Sequence, residues 1–272
     1  MKHLYLAFVL LFISLVGCTQ TTSKSIDRSA NQTQWHKAKV AYLGDSITDK
    51  RRIGTKKVYW EYLQDIFQIE SYVFAKSGHT WRDLLTQAEE LKNTHIHDLS
   101  AIIIFAGTND YNSNTKMGSL YTELVKTTNH NGQQVERKFR DTSYDLSTYY
   151  GRINSVISYL KTHFPKQQII VLTPIHRGFA YFNYTNVQPD ERFANAEGLY
   201  IDDYVDATNK AGAYWSVPVI DLFSTSGLSP LSPAHAIYFA NKETDLLHPN
   251  AEGHERIAQS IAYKLLAYPS HF

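Results

Sequence analysis

Apolar positions in this chain fall into short continuous runs separated by stretches with helical spacing. Lys39 to Leu43, with Val40 and Tyr42, reads as a buried strand that ends at Gly44. Val58 to Phe67 then places Tyr59, Tyr62, Leu63 and Ile66 on one helical face, and Tyr72-Val73-Phe74-Ala75 gives a second short strand. Thr80, with Asp83 three residues on, predicts the cap of a helix whose apolar face is Trp81, Leu84, Leu85, Ala88 and Leu91. Ala101-Ile102-Ile103-Ile104-Phe105 is the strongest strand signal, apolar at every position as expected where helices cover both faces. Ile153, Val156, Ile157 and Leu160 form a helix that Pro165 ends, and Gln168 to Leu172 is the fourth strand. Ile201, Tyr204, Val205 and Thr208 mark another helix. Val217 to Asp221 is the fifth strand, with Pro218 fitting an edge or a strand start. The closing helix carries Ile257, Ala258, Ile261 and Leu265, and begins at Asn250 with Glu252 in its first turn.

Five strands alternating with helices predict an α/β fold, three layers deep, with a parallel sheet and right-handed crossovers. Three stretches break the pattern: 111–145, 174–198 and 222–244 are poorly periodic excursions, each leaving the carboxyl end of a strand. That edge is where open α/β sheets bind ligands, so the loops concentrate where a site belongs.

The first residues read differently. Lys2 precedes an uncharged run from Leu4 to Val16, too short for an ordinary membrane span and suited to a secretory signal. It ends in Leu15-Val16-Gly17-Cys18, which resembles a bacterial lipobox; the other reading is an ordinary signal peptide with an incidental cysteine. Residues 1–17 are thus expected to be a lipoprotein signal peptide, with Cys18 the lipidated first residue of an exported, membrane-anchored bacterial lipoprotein, periplasmic or on the cell surface. Residues 18–35, rich in Thr, Ser, Gln and Asn, are expected to form a flexible tether, and 36–272 a single domain.

Charge narrows the partners. Lys plus Arg number 27 and Asp plus Glu 26, so no bulk charge favours nucleic acid. The single cysteine, Cys18, excludes internal disulfides and zinc-thiolate sites. His95 and His97 alternate in a polar loop without a nearby acid or thiolate cluster, and read as surface histidines.

Chemistry gathers at the strand ends. Ser46, in Gly44-Asp45-Ser46-Ile47-Thr48, follows the first strand and is a candidate nucleophile. His248 in Asp245-Leu246-Leu247-His248-Pro249 is a candidate base, and Asp245 lies close enough in the chain to orient its ring. Oxyanion donors are available from the backbone of Ser46, the backbone of Gly78 and the side-chain amide of Asn109. Asp45 supports the turn or faces substrate. His176 and Arg177 follow the fourth strand and either bind a polar substrate or form a structural ion pair. This chemistry calls for no metal and no organic cofactor.

Gly44-Asp45-Ser46, Gly78, Gly107-Thr108-Asn109-Asp110 and Asp245 to Pro249 resemble the four blocks of the GDSL/SGNH hydrolase superfamily, in order, over residues 38 to 267. The resemblance implies a flavodoxin-like strand order 2-1-3-4-5. It also implies a Ser46, His248, Asp245 triad with Ser46, Gly78 and Asn109 in the oxyanion hole. One departure is Lys76, where many members carry Asn. The Gly-x-Ser-x-Gly elbow of α/β-hydrolases is absent, since Thr48 occupies the last Gly position.

The excursions carry Tyr111, Tyr121, Tyr144, Phe179, Tyr181, Phe182 and Tyr184, rings that either pack the loops or face a sugar; Tyr111 and Tyr181 are the candidates for substrate. The expected function is a serine esterase removing O-acyl groups, foremost O-acetyl, from a glycan through an acyl-enzyme. The alternatives are a lipase, thioesterase or lysophospholipase, and a glycan-binding surface lipoprotein without turnover. The expected partner is an acylated glycan or other small ester, with membrane contact only through the lipid.

Overall fold

The computed structural model describes residues 33–53 and 55–272. The expected signal peptide, Cys18 and nearly all of the tether lie outside the described residues. In chain order the first elements are β1 (Lys39–Gly44), α1 (Lys50–Ile53), α2 (Tyr59–Phe67), β2 (Glu70–Val73), α3 (Leu84–Asn93), β3 (Leu99–Phe105) and α4 (Thr108–Asn112). The middle contains β4 (Tyr121–His130), β5 (Gln133–Thr142), α5 (Tyr149–His163), β6 (Gln168–Leu172), β7 (Ala180–Asn183) and β8 (Asn186–Gln188). The last part contains α6 (Ile201–Trp215), β9 (Val219–Ile220), α7 (Leu222–Thr225), a 3-10 helix (Pro233–Tyr238), β10 (Phe239–Asn241), β11 (Asp245–Pro249) and α8 (Ala251–Leu265).

The main sheet has the order β2-β1-β3-β6-β9 and is parallel throughout, which is the expected 2-1-3-4-5 arrangement. Strand periodicity divides its side chains between two cores. Val40, Tyr42, Ala101, Ile103, Phe105, Ile170 and Leu172 face α2 and α8. Ala41, Leu43, Ile102, Ile104, Ile169 and Val171 face α3, α5 and α6. Two buried layers explain why β3 is apolar at consecutive positions. Each fully buried aliphatic side chain, such as Ile257, Ile261 and Leu265 on α8, contributes about 1.5–3 kcal/mol relative to exposure. Pro218 stands just before β9, the edge strand; its carbonyl accepts from Val171 N, and its missing N–H falls ahead of the first paired residue of the ladder. At the start of α8, the Asn250 side chain accepts from Gly253 N, the cap expected from its type.

Three expectations need correction. The folded unit begins before residue 36: Trp35 is fully buried and its Nε1–H donates to Leu265 O at 2.6 Å, so the indole belongs to the core rather than to a tether. Asp83, rather than Thr80, precedes the first residue of α3; it accepts from both Thr80 N and Thr80 Oγ1, tightening a turn ahead of the helix. The excursion at 111–145 is largely regular, because β4 and β5 pair over ten residues each as an antiparallel hairpin. Its turn is Asn131-Gly132, with φ of +54° and +81°. Both values are positive, as a two-residue hairpin turn requires.

A second sheet, β10-β11-β7-β8, takes β7, β8 and β10 from the other two excursions and β11 from the segment that follows them. It carries β11, and therefore Asp245 and His248, to the carboxyl edge of the main sheet. No described helix is long and apolar enough to cross a membrane.

Candidate active site

β1 delivers Ser46 through a turn that only glycine permits. A Cβ on Gly44 would lie 2.6 Å from Phe105 O and 2.8 Å from Thr48 Oγ1, inside contact distance of a neighbouring strand. Gln87 of α3, fully buried, brackets this glycine: its Nε2 donates to Gly44 O at 2.8 Å and its Oε1 accepts from Gly44 N at 2.9 Å. Asp45 closes the turn, with Oδ1 accepting from Ile47 N at 3.0 Å.

Ser46 Oγ lies 2.9 Å from His248 Nε2, and His248 Nδ1 lies 2.9 Å from Asp245 Oδ2. The tautomer follows from the partners. An ionised carboxylate only accepts, so Nδ1 carries the proton, and Nε2 is left to accept from the Ser46 hydroxyl. Burial raises the Asp245 carboxyl, but the His248 ring and the backbone N–H groups of His248 and Leu247 outweigh it and hold the group below the ordinary carboxylate value. Asp245 is thereby kept ionised beside the ring it orients. Phe182 of β7 meets the same imidazole edge to face, with centroids 5.5 Å apart.

Three N–H groups are free to stabilise negative charge. Among the described residues, no protein acceptor takes the backbone N–H of Ser46 or Gly78. Gly78 holds φ at +83°, and nothing stands within 4 Å of where a Cβ would be, so its amide borders open space. Asn109, on the first turn of α4, donates one Nδ2 proton to His79 O at 3.0 Å, which leaves the other available. Lys76, the departure in this block, turns aside and pairs with Glu90 at 2.6 Å.

The segment 77–81 is anchored by side chains not singled out from the sequence. Asp49 accepts from Ser77 N at 3.0 Å. Burial pulls its carboxyl up, yet Arg51 and the Ser77 N–H hold it below the ordinary value. Asp110 is fully buried, accepts from Trp81 N at 2.9 Å and pairs with Arg152 at 2.8 Å. Burial still pushes the Asp110 carboxyl up, to about 6. Gln87 also meets His79 Nδ1 at 2.9 Å. The signal for these residues was present only as polar type at helix or loop positions. Their burial, which is what compels a partner, is a tertiary property.

The cleft over these groups has a volume of about 420 Å³ and is lined by Ser46, Gly78, Asn109, His248, Phe182, Asn186 and Gln188, among others. Five other candidates stand back from it. Asp45 is 1% exposed, its Oδ2 has no partner among the described residues, and burial lifts its carboxyl to about 7; it supports the turn and does not reach substrate. His176 pairs with Glu191 at 2.7 Å and stacks on Phe223. Arg177 is 1% exposed; its Nη2 donates to Gln188 Oε1 at 2.9 Å, and burial lowers its guanidinium to about 10. Tyr181 points away into solvent from β7, while its neighbour Phe182 lines the cleft. Tyr111 is buried and its hydroxyl donates to Phe193 O at 2.6 Å. Among the described residues no three His, Cys, Asp or Glu side chains converge where a metal could sit.

A nucleophile, a base, an orienting acid and three convergent donors can together take an acyl group from an ester. Solved structures share the fold. A protein from Lactobacillus plantarum superposes with a TM-score of 0.66 at 23% identity, over 86% of this chain and 98% of its own. A possible lipase from Chitinophaga pinensis gives 0.61 at 19%, over 84% and 98%. An acetyl xylan esterase gives 0.52 at 18%, over 84% and 99%. No curated protein matches the sequence. The family comparison is the more specific one: matched over residues 42–256 to the GDSL-like lipase/acylhydrolase family, this chain belongs to that family.

Proposed function

We propose that this protein is a serine esterase that removes O-acyl groups, foremost O-acetyl, from a glycan. Ser46 attacks the ester carbonyl while His248 Nε2 takes its proton, and the imidazolium is stabilised by Asp245. The tetrahedral oxyanion is received by the N–H groups of Ser46, Gly78 and Asn109. Collapse expels the sugar alcohol, protonated by His248, and leaves an acyl-Ser46 that water hydrolyses with the same base. The observation that carries this reading is the unbroken chain from Ser46 Oγ through His248 to Asp245, each link 2.9 Å, at the floor of an open cleft.

The lining supports a polar substrate. Asn109, Asn186 and Gln188 contribute carboxamides, while the apolar wall is confined to Phe182 and Leu247. A long acyl chain would desolvate those amides without returning a hydrogen bond, at about 1–3 kcal/mol each. The acetyl xylan esterase with this fold is an instance of the architecture accommodating such a substrate. The uncharged run before Cys18 and the polar stretch after it support export and attachment to a membrane by lipid at that cysteine, facing glycans outside the cytoplasm.

A fluorophosphonate probe together with an acetate-release assay on acetylated glycans tests the proposal. The native protein should be labelled and release acetate, and Ser46→Ala should do neither. Native protein that resists the probe would point to a glycan-binding protein without turnover. Strong cleavage of long-chain lipid esters with no acetate released would point to a lipase.

A further inference from the structure

Beside the cleft over Ser46 lies a second depression, of about 360 Å³. Asn186 and Gln188 of β8 line both, so the two share a wall. α4 joins them as well. Asn109 borders the first and Asn112, three residues on, borders the second, a spacing that sets two side chains on one face of a helical turn. A ligand seated in the second depression would therefore continue directly into the site of attack. Both volumes fall in the range of small-molecule sites.

No charged side chain lines this depression, and carboxamides dominate its polar surface. Among the described residues the Asn112 side chain makes no hydrogen bond. Asn114 uses only its Oδ1, which accepts from Ala196 N at 2.7 Å. Asn186 uses only its Oδ1, which accepts from Gln188 Nε2 at 3.1 Å. Buried Arg177 holds Gln188 Oε1, which fixes the acceptor end of that carboxamide and leaves a second Nε2 proton unused. Asn195 is the contrast: both ends of its amide are taken by Tyr111 O, Tyr204 Oη and two backbone N–H groups, so it builds the wall.

Unused carboxamides both donate and accept, as sugar hydroxyls do. A phosphate or carboxylate would find no cation here, and an acyl chain would strip water from four amides with nothing in return. Val187 and Pro189 add small apolar surfaces of the kind that the C–H face of a sugar ring covers. We propose that this depression is a second subsite, holding a neutral sugar unit next to the one whose ester reaches Ser46. The proposal rests on the glycan-esterase reading and adds a recognition element to it: the substrate is an oligosaccharide or polymer, read over at least two units, rather than a single acylated sugar.

The test compares kcat/KM of the full-length protein on 4-nitrophenyl acetate with that on chemically O-acetylated xylo-, manno- and cello-oligosaccharides. The variants are Asn112→Ala, which removes a free amide, and Ala194→Trp, which fills the depression from an exposed position of its rim. The ratio of oligosaccharide to aryl-ester kcat/KM is expected to fall about tenfold in Asn112→Ala, the worth of one or two hydrogen bonds, and further in Ala194→Trp. The deacetylated oligosaccharide that matches the preferred substrate should inhibit the wild-type protein competitively and the Ala194→Trp protein more weakly. Glycan deacetylation with an unchanged ratio in both variants would overturn the subsite alone. Aryl-ester hydrolysis by the wild-type protein with no glycan deacetylated would overturn the parent reading instead.

Discussion

Gln87→Leu removes the one side chain that brackets the nucleophile turn while keeping the volume nearly constant. Gln87 is fully buried on α3, away from the cleft lining, so the substitution acts on the site through Gly44 and through His79, whose Nδ1 also loses its partner. Gly44 O keeps a second donor, Lys76 N at 3.2 Å, but Gly44 N loses its acceptor and becomes an unsatisfied buried N–H. That costs about 1–3 kcal/mol. In a domain of this size the melting temperature should drop by about 2 to 12 °C. The turn then relaxes toward another acceptor and carries Ser46 with it. A displacement of about 1 Å at a reacting group costs about a hundredfold, so kcat on 4-nitrophenyl acetate should fall by about ten- to a hundredfold with KM little changed. Leu91→Ala serves as the control. Leu91 lies one helical turn further along α3 and is equally buried, and truncating it costs about 2–5 kcal/mol without touching Gly44. Its melting temperature should fall as far while kcat stays near wild type. If Gln87→Leu lost stability yet turned over like the wild-type protein, the claim that Gln87 positions Ser46 would be refuted.

Asn109→Ala removes a side-chain donor whose other proton bonds the His79 carbonyl. Turnover on 4-nitrophenyl acetate should drop by about a hundred- to a thousandfold while the melting curve stays in place, and an unchanged kcat would take Asn109 out of the oxyanion hole. His254 offers a test by pH. It is fully buried, and burial first, then the nearby His248, lowers its imidazole from 6.5 to about 3. Between those values the unfolded chain binds a proton that the folded one refuses, so this residue's contribution is complete above 6.5 and is lost as pH falls, by about 1.4 kcal/mol per unit. Asp45 and Asp110, whose carboxyls are raised, work in the opposite direction as pH rises from 3.8 to about 7 and about 6. The measurable quantity is therefore a difference. His254→Gln retains an acceptor for Tyr59 N, and its melting temperature relative to wild type should climb as pH is lowered from 7 to 4. A constant difference would mean that folding does not lower the His254 pKa.

The main sheet was legible because its evidence is local. β3 spells Leu99 to Phe105 with a single polar residue, and such a run has no stable place except between two helical layers. The hairpin at 121–142 was missed because most of its side chains are exposed, which erases the alternation that marks a half-buried strand. Asn131-Gly132 was its one available signal, a pair favoured where two successive residues need positive φ. Tyr111 reads as a candidate because its ring could face a sugar, and Arg177 because it follows the fourth strand. In the fold Arg177 turns inward to Gln188, and Tyr111 is buried with its hydroxyl on the Phe193 carbonyl while bordering the second depression.

Residue type and order alone determined the layered α/β frame, the strand ends that carry Ser46 and Asn109, and the pairing of Asp245 with His248, since three residues of chain keep that pair together wherever it lies. The tertiary structure decided what the loops do with that frame. It brings His248, 202 positions away in sequence, to Ser46, and it folds 180–188 into a wall whose Asn186 and Gln188 face two clefts at once. It also selects which polar residues are buried and so must find partners, as Gln87, Asp49 and Asp110 do. The physical reason is that periodicity reports only how much of each face is buried. The partner of a buried polar group is set by distance in the folded chain, which no local pattern encodes.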